Sequence, residues 1–260
     1  PPGVEADVDL ELADASWAGR LLPARPSHAH KGTFGRTMVV AGSRNYLGAA
    51  YLAAAAATRV GSGLVTIAIP ESLQIAVAAH TVEPTFLPLP ESAPGIVDPE
   101  AAQLVLASAR DYDALLVGCG LGQAEATKRF VERLLLSDAQ RPPLVVDADG
   151  LNTLAQHEDW WDDLSANAVL TPHPGEMARL VGTATDQDRV TLASSQAATW
   201  NKVVVLKGAH TVVAFPDGGA VLSPFANPGL ATAGTGDVLA GAVAGLVSQG
   251  MSLAASAALG

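Results

Sequence analysis

The sequence predicts an α/β protein: a single domain whose mostly parallel sheet is covered by helices on both faces. Three observations predict it. Short runs continuous in Val, Leu and Ile recur along the chain, too uniformly apolar for strands with one wet face. Turn signals rich in Gly, Pro, Asp and Ser bound these runs, and stretches of helical pattern separate them. Hydrophobic residues make up 49% and charged residues only 16% of the 260 positions, enough apolar mass for a large core.

RTMVVAGS (36–43) reads as a buried strand, followed by an alanine-rich helix from Leu47 to Val60 that suits close packing on a sheet. GLVTIAIP (63–70) is the next strand. TVEPTFLPLPESAPGIVDP (81–99), with its prolines and glutamates, reads as a loop, and a helix follows from about Glu100 to Arg110. DALLVGCG (113–120) is a strand leading to a helix near Ala124 to Leu136. PPLVVDADG (142–150), ANAVLTPH (166–173) and KVVVLKG (202–208) are three further strands with helical segments between them. Trp160 and Trp161 read as partly exposed packing on one of those helices. HTVVAFPDGGAVLS (210–223) reads as a hairpin turning at Asp217-Gly218-Gly219, and the last clear helix starts near Thr235. Residues 1–29 are less regular and are expected to be a tail or interdomain connector, leaving 30–260 as the domain.

Composition excludes several classes. The formal charge is −11 and no basic stripe is present, so no nucleic-acid partner is expected. The single Cys119 excludes an intrachain disulfide and a cysteine-based zinc site, and fits a reducing, cytoplasmic setting. The longest uncharged apolar stretches, Leu47–Thr58 and Val238–Val247, fall short of the ~20 residues of a spanning helix, so no membrane association is expected. No signal peptide is visible, and the opening Pro1 suggests a processed chain or one excised from something longer. GxxxxGK[ST] is absent, and GCGLG is followed by Gln123 where the dinucleotide fingerprint needs glycine. GxSxG, HExxH and the EF-hand loop are absent as well.

Five polar or glycine-rich motifs remain, at strand ends or before a helix, where open α/β sheets collect ligands: AGSRNYLGA (41–49), GCGLG (118–122), DADGLN (147–152), TPHPGE (171–176) and ATAGTGD (231–237). Asp237 is the sole charged residue from Gly218 to Gly260. Gly234 and Gly236 free backbone N–H groups to converge, and the helix that starts there adds partial positive charge, so an anion such as a phosphoryl group is stabilised beside a carboxylate base. The competing reading is an acidic residue complementing its own helix dipole, with Thr235 as N-cap. His173 and Glu176 belong either to such a site or to an ordinary capped turn. Asp147 and Asp149 suit water-mediated metal contacts or helix capping. Lys207 either pairs with a phosphate or is a solvated lysine at a turn, and His30 and Lys31 either meet an anion or decorate the entry to the first strand.

Taken in order, HKGTFGRTMVVAGSRNYLGA, RVGSGLV, GCGLG, VVDADGLN, LTPHPGEMARL, VVLKGAHTVV and NPGLATAGTGDVLAG closely resemble the ADP/ATP-dependent NAD(P)H-hydrate dehydratase family, the repair-enzyme branch of the ribokinase-like superfamily, from about His30 to Gly250. GTGD recurs across ribokinase-like kinases, whereas TPHPGE with KGAHTV is specific to the dehydratases. The resemblance implies a three-layer ribokinase-like fold. It implies a lyase that removes water from the S epimer of hydrated NADH or NADPH, with ADP (or ATP) phosphorylating the ring hydroxyl before phosphate is eliminated. Asp237 is then the base, Gly234 and Gly236 receive the phosphoryl group, and Gly236 also touches the nucleotide. Lys207, Gly208, Ala209, His210 and Thr211 hold the AMP portion. Ala49, Gly122 and His173, with Asp237, contact the hydrated dinucleotide. Glu176 organises Mg²⁺ indirectly, and His173 replaces the asparagine of related kinases. A homo-oligomer, often a tetramer, is implied too. The opening PPGVEADVDLELADASW resembles the join to an epimerase domain in bifunctional members, and family members usually carry another helix beyond the point where this chain stops. The rival readings are a ribokinase-like kinase of a small alcohol, such as a vitamin precursor, and a nucleotide-binding module without turnover.

Overall fold

Among the described residues the strands are β1 (Leu10–Leu12), β2 (Arg36–Val40), β3 (Leu64–Pro70), β4 (Thr85–Leu89), β5 (Glu91–Ala93), β6 (Ile96–Val97), β7 (Ala114–Val117), β8 (Leu144–Val146), β9 (Ala168–Leu170), β10 (Val203–Leu206), β11 (Val212–Ala214) and β12 (Ala220–Leu222). Between and after them lie α1 (Ala15–Leu21), α2 (Leu47–Arg59), α3 (Gln74–Ala78), α4 (Ala101–Ala109), α5 (Glu125–Leu135), α6 (Asp149–Leu154), α7 (Trp160–Asp163), α8 (Pro174–Val181), α9 (Arg189–Trp200), α10 (Thr235–Ser248) and α11 (Leu253–Leu259). This computed structural model describes residues 10–165, 167–182 and 188–260.

Ten of the strands form one sheet in the order β1-β12-β11-β10-β9-β8-β7-β2-β3-β4. From β10 to β4 every pairing is parallel, β11 pairs antiparallel with β10 and β12, and the edge pair β12–β1 is parallel again. The apolar runs are explained by burial on both faces: β7, β8, β9 and β10 are buried along their whole length. On one face α4, α5, α6, α8 and α9 supply Val105, Phe130, Leu151, Met177 and Leu192 to the core. On the other α2, α10 and α11 supply Ala53, Val243 and Ala257. The result is a three-layer α/β fold. No helix among the described residues is long and apolar enough to cross a membrane.

Strand order reverses between β2 and β7, and at that switch point the loops after the two strands are tied together. The Gly42 amide donates to Cys119 O at 2.9 Å, and the Ser43 hydroxyl donates to Gly120 O at 2.8 Å.

The alanines of α2 are there for α10. A Cβ on Gly241 would lie 2.1 Å from Ala53 O, and one on Gly245 would lie 2.6 Å from Val60 Cγ2 and 2.8 Å from Ala57 O. Small residues on both helices therefore let the backbones touch, which sets where the N-terminus of α10 emerges over the sheet.

Five features differ from the sequence reading. Within the expected loop 81–99, Thr85–Leu89 pairs parallel with β3 as an edge strand, and β5 and β6 make a small hairpin. The prolines that argued for a loop are tolerated because an edge strand need not donate on its open side. Within the stretch set apart as 1–29, Leu10–Leu12 pairs parallel with β12 and Ala15–Leu21 is helical, while residues 1–9 lie outside those described. Trp160 is 1% exposed, stacked at a tilt on Trp200 with centroids 4.9 Å apart, so it is a core residue and not partly exposed packing. A further helix, α11, follows α10. The strand expected at 166–173 is observed as Ala168–Leu170, and Ala166 lies outside the described residues.

The α2–α10 contact gives a direct test. Gly241→Ala forces a methyl group against the Ala53 carbonyl, and chemical denaturation should show a loss of about 1–3 kcal/mol. An unchanged midpoint would mean that the two helices can separate without cost.

Candidate active site

Four adjacent strands end in polar or reactive side chains that meet. Cys119 follows β7, Asp147 follows β8, Thr171 follows β9 and Lys207 follows β10. Asp147 Oδ1 accepts from Lys207 Nζ at 2.7 Å and from the Thr171 hydroxyl at 2.8 Å, and the Cys119 thiol lies 3.8 Å from its Oδ2. The Asp147 side chain is 2% exposed and that of Lys207 18%, so this ion pair is largely out of water. Parallel alignment puts all four groups at the carboxyl edge of the sheet.

Helix α8 adds a second carboxylate. Pro174 begins the helix, His173 is its N-cap, and His173 Nδ1 accepts from the amides of Gly175 at 2.9 Å and Glu176 at 3.2 Å. Glu176 reaches back to accept from the His173 amide at 2.8 Å, completing a capping box, and its buried Oε2 stands 3.6 Å from Lys207 Nζ. Because Nδ1 is occupied as an acceptor, the ring proton of neutral His173 sits on Nε2.

Helix α10 closes the site. Its N-cap is Gly234, in the left-handed region at φ +91°, with no side-chain cap; the alternative of a Thr235 cap is corrected by this turn. A Cβ on Gly236 would lie 3.5 Å from Lys207 Nζ and 3.7 Å from Asp147 Oδ2, so the helix N-terminus abuts the ion pair. Asp237, one residue on, brings its carboxylate within 4.8 Å of both Cys119 Sγ and an Asp147 oxygen, the one such group of potential metal donors among the described residues. Beside this point opens a cleft of about 1090 Å³ that reaches from His173 and Lys207 past Thr235 and Gly236 to Phe225 and Leu230.

With that geometry in view, the family model described as NAD(P)H-hydrate dehydratase matches residues 37–260. The chain belongs to the NAD(P)H-hydrate dehydratase family. It is 44% identical over 252 residues to a bifunctional NAD(P)H-hydrate repair enzyme of Moorella thermoacetica, covering 96% of this chain and 47% of that protein. It is 38% identical over 243 residues to an ADP-dependent (S)-NAD(P)H-hydrate dehydratase of Neisseria meningitidis, covering 91% and 77%. Among solved structures, an ADP/ATP-dependent NAD(P)H-hydrate dehydratase of Bacillus subtilis, co-crystallised with ATP/Mg²⁺, superposes with a TM-score of 0.74 at 30% identity, covering 96% of this chain and 86% of that one. A ribokinase-like superfamily protein of Enterococcus faecalis superposes with a TM-score of 0.82 at 25% identity, covering 96% and 85%. The fold is therefore ribokinase-like. The chain spans about half the length of the bifunctional relatives it matches.

In this member of the dehydratase family the residues singled out from sequence fall on two loop walls, of which only the second lines the cleft. One wall holds Ala49 in the first turn of α2 and Gly122, whose amide donates to Asp149 Oδ2 at 2.7 Å; Ala49 Cβ packs closely enough against Gly120 to leave no room for a side chain there. The other wall is the loop Lys207–Thr211, of which Lys207, Gly208, Ala209 and Thr211 line the cleft together with His173 and Gly236. His30 and Lys31 are elsewhere: His30 caps a short 3-10 turn by accepting from Gly32. Sequence reasoning left Asp147 undecided between metal contact and capping, and nothing in one sequence marks it as the partner of Lys207. The signal was its place after a buried strand, where a carboxylate needs a counter-charge.

Electrostatics set each group's state. Burial pushes the Asp237 carboxyl above its usual range, Asp147 beside it pushes further, and the Cys119 thiol and Lys207 oppose. Burial works against the Lys207 ammonium, but Asp147 and Glu176 outweigh it and hold the proton above the usual lysine range. Burial, followed by Asp147 and Asp237, pushes the Cys119 thiol well up, so it is a neutral donor.

A carboxyl whose pKa is raised by folding costs stability once it ionises: the native state is favoured below the unfolded value, and that advantage is lost as pH rises through the folded value. Asp237→Asn should therefore raise the thermal unfolding midpoint at pH 8 and change it little near pH 4. A loss of stability at pH 8 would show that the ionised carboxylate is satisfied where it sits.

Proposed function

We propose that this domain is an ADP-dependent (S)-NAD(P)H-hydrate dehydratase, a hydro-lyase restoring hydrated NADH and NADPH. The observation that carries the reading is the half-buried Asp237 carboxylate at the mouth of a glycine-capped helix, beside a lysine that keeps its charge. Phosphoryl transfer needs such a juxtaposition, a base for the attacking hydroxyl and fixed positive ends for the developing charge.

Asp237 takes the proton of the ring hydroxyl as that oxygen bonds to the terminal phosphorus of ADP and the bond to the AMP oxygen breaks. The amides around Gly234 and Gly236 and the Lys207 ammonium bear the charge on the transferred group. The carbon–oxygen bond then breaks, phosphate leaves with its electrons, and a ring proton is lost to restore the double bond. Hydroxide is a poor leaving group and phosphate a good one, which is why the nucleotide is consumed. Lys207, Gly208, Ala209, His210, Thr211 and Gly236 receive the nucleotide, and Ala49, Gly122 and His173 receive the hydrated dinucleotide.

Mg²⁺ suits this donor set, since it binds through one or two carboxylates together with substrate phosphates. Asp147 and Asp237 offer those oxygens, while Glu176, already engaged by the His173 amide and Lys207, acts from behind them. When bound, the ion neutralises phosphate charge. Because the proposed enzyme takes one epimer only, an NAD(P)H-hydrate epimerase is its expected partner, fused or separate. A cytoplasmic homo-oligomer, a tetramer, belongs to the same reading.

The test is to incubate the protein with hydrated NADH, ADP and Mg²⁺ and follow the return of reduced-nicotinamide absorbance. The parent chain should restore it with release of phosphate and AMP, and Asp237→Asn should lose about 10²-fold or more. Activity should fall as pH drops through the raised Asp237 value, because the base must be ionised. A stable phosphorylated product from a small alcohol, with no restored absorbance, would point to a kinase.

A further inference from the structure

Arg189, the first residue of α9, gives its guanidinium to a single loop. Nη1 donates to Ala209 O at 2.7 Å and His210 O at 3.3 Å, and Nη2 donates to Leu206 O at 2.9 Å and Lys207 O at 3.1 Å. The remaining carbonyl in the run, that of Gly208, accepts from the Thr211 hydroxyl at 3.1 Å. Every carbonyl from Leu206 to His210 is thereby held by a side-chain donor of the protein itself.

The amides of the loop are divided differently. Lys207 N donates to Pro172 O and His210 N to Phe225 O. Those of Gly208, Ala209 and Thr211 have no protein acceptor among the described residues, and these three residues line the cleft. Carbonyl oxygens facing the cleft would repel an anion, whereas free amides attract one. The cation on the far side thus sorts the peptide dipoles.

Two backbone features fit the same cause. Gly208 lies at φ +156°, and a Cβ there would meet Arg189 Nη2 at 2.7 Å, so the guanidinium packs where any other residue would project. His210 is a non-glycine residue at φ +52°, a conformation that persists when surrounding bonds over-determine it. A planar fork with several donors can hold diverging carbonyls at once; a lysine ammonium is a point charge on a flexible stem.

We propose that Arg189 is a positioning residue: it holds Lys207–Thr211 in the conformation that presents free amides and the Lys207 ammonium to an anionic nucleotide. This rests on the reading of that loop as the nucleotide site.

The experiment is calorimetric titration of ADP into the parent chain, Arg189→Gln and Arg189→Lys, with amide hydrogen exchange of 207–211 and turnover in parallel. The expected result is ADP affinity weakened at least about tenfold in Arg189→Gln and partly recovered in Arg189→Lys. Loop amides should exchange faster, and the KM for ADP should rise about tenfold while kcat at saturating ADP changes less than about threefold. If Arg189→Gln does not fold, Arg189→Lys, with charge but no fork, carries the same comparison against the parent. A folded variant that binds ADP like the parent overturns the proposal and leaves the nucleotide site standing. A parent chain that binds no ADP overturns the nucleotide reading, and this proposal with it.

Discussion

Lys207 and Asp147 face one another at 2.7 Å across the ends of β10 and β8, nearly excluded from water, and the candidate site is arranged around that pair. Removing two charges from water is costly, and the cost is offset only when geometry is good and the remaining lone pairs are satisfied. Here Thr171 supplies a hydroxyl to the same carboxylate and Glu176 adds a second negative charge near the ammonium. The lysine consequently keeps its proton despite burial, giving a fixed positive centre under the N-terminus of α10. Without it, Asp147, Glu176 and Asp237 would be three carboxylates in one poorly solvated space.

Asp237 is the part of this arrangement that folding does not favour. Its burial, beside Asp147, raises its pKa, and the carboxylate is held there by the helix that carries it. That helix is anchored one and two turns beyond Asp237, where Gly241 and Gly245 lie against the backbone of Ala53 and Ala57. Close packing of backbones leaves little freedom for sliding, so an apolar contact in one layer fixes a carboxylate at the sheet edge. A carboxylate in an unfavourable place and a rigid element that keeps it there are two halves of one arrangement.

The two walls differ in how they are held. The wall of Ala49 and Gly122 is laced by hydrogen bonds between neighbouring loops, Gly42 to Cys119 and Gly122 to Asp149. The wall of Lys207–Thr211 is held from behind by Arg189 through carbonyls alone. The first is built into the strand switch point; the second draws four of its carbonyl contacts from one side chain, on a helix that begins elsewhere in the chain, beside the backbone bonds to Pro172 and Phe225.

Much was legible from residue order. Continuous apolar runs gave the buried strands because parallel strands hide both faces, and Asp237 stood out because its surroundings carry no other charge. The motif order carried the family resemblance. Edge strand Thr85–Leu89 escaped because its prolines signal a break unless one knows that one side is unpaired, and Trp160 escaped because its polar neighbours hide a ring that turns inward onto Trp200. Local pattern sets most of the buried segments, the turns and the polar groups at strand ends. The meeting of Asp147 with Lys207, the place of Gly236 over both, and the hold of Arg189 on the 206–210 carbonyls follow from the folded chain. Those contacts join residues far apart in the chain, and only strand order and helix packing set their distances.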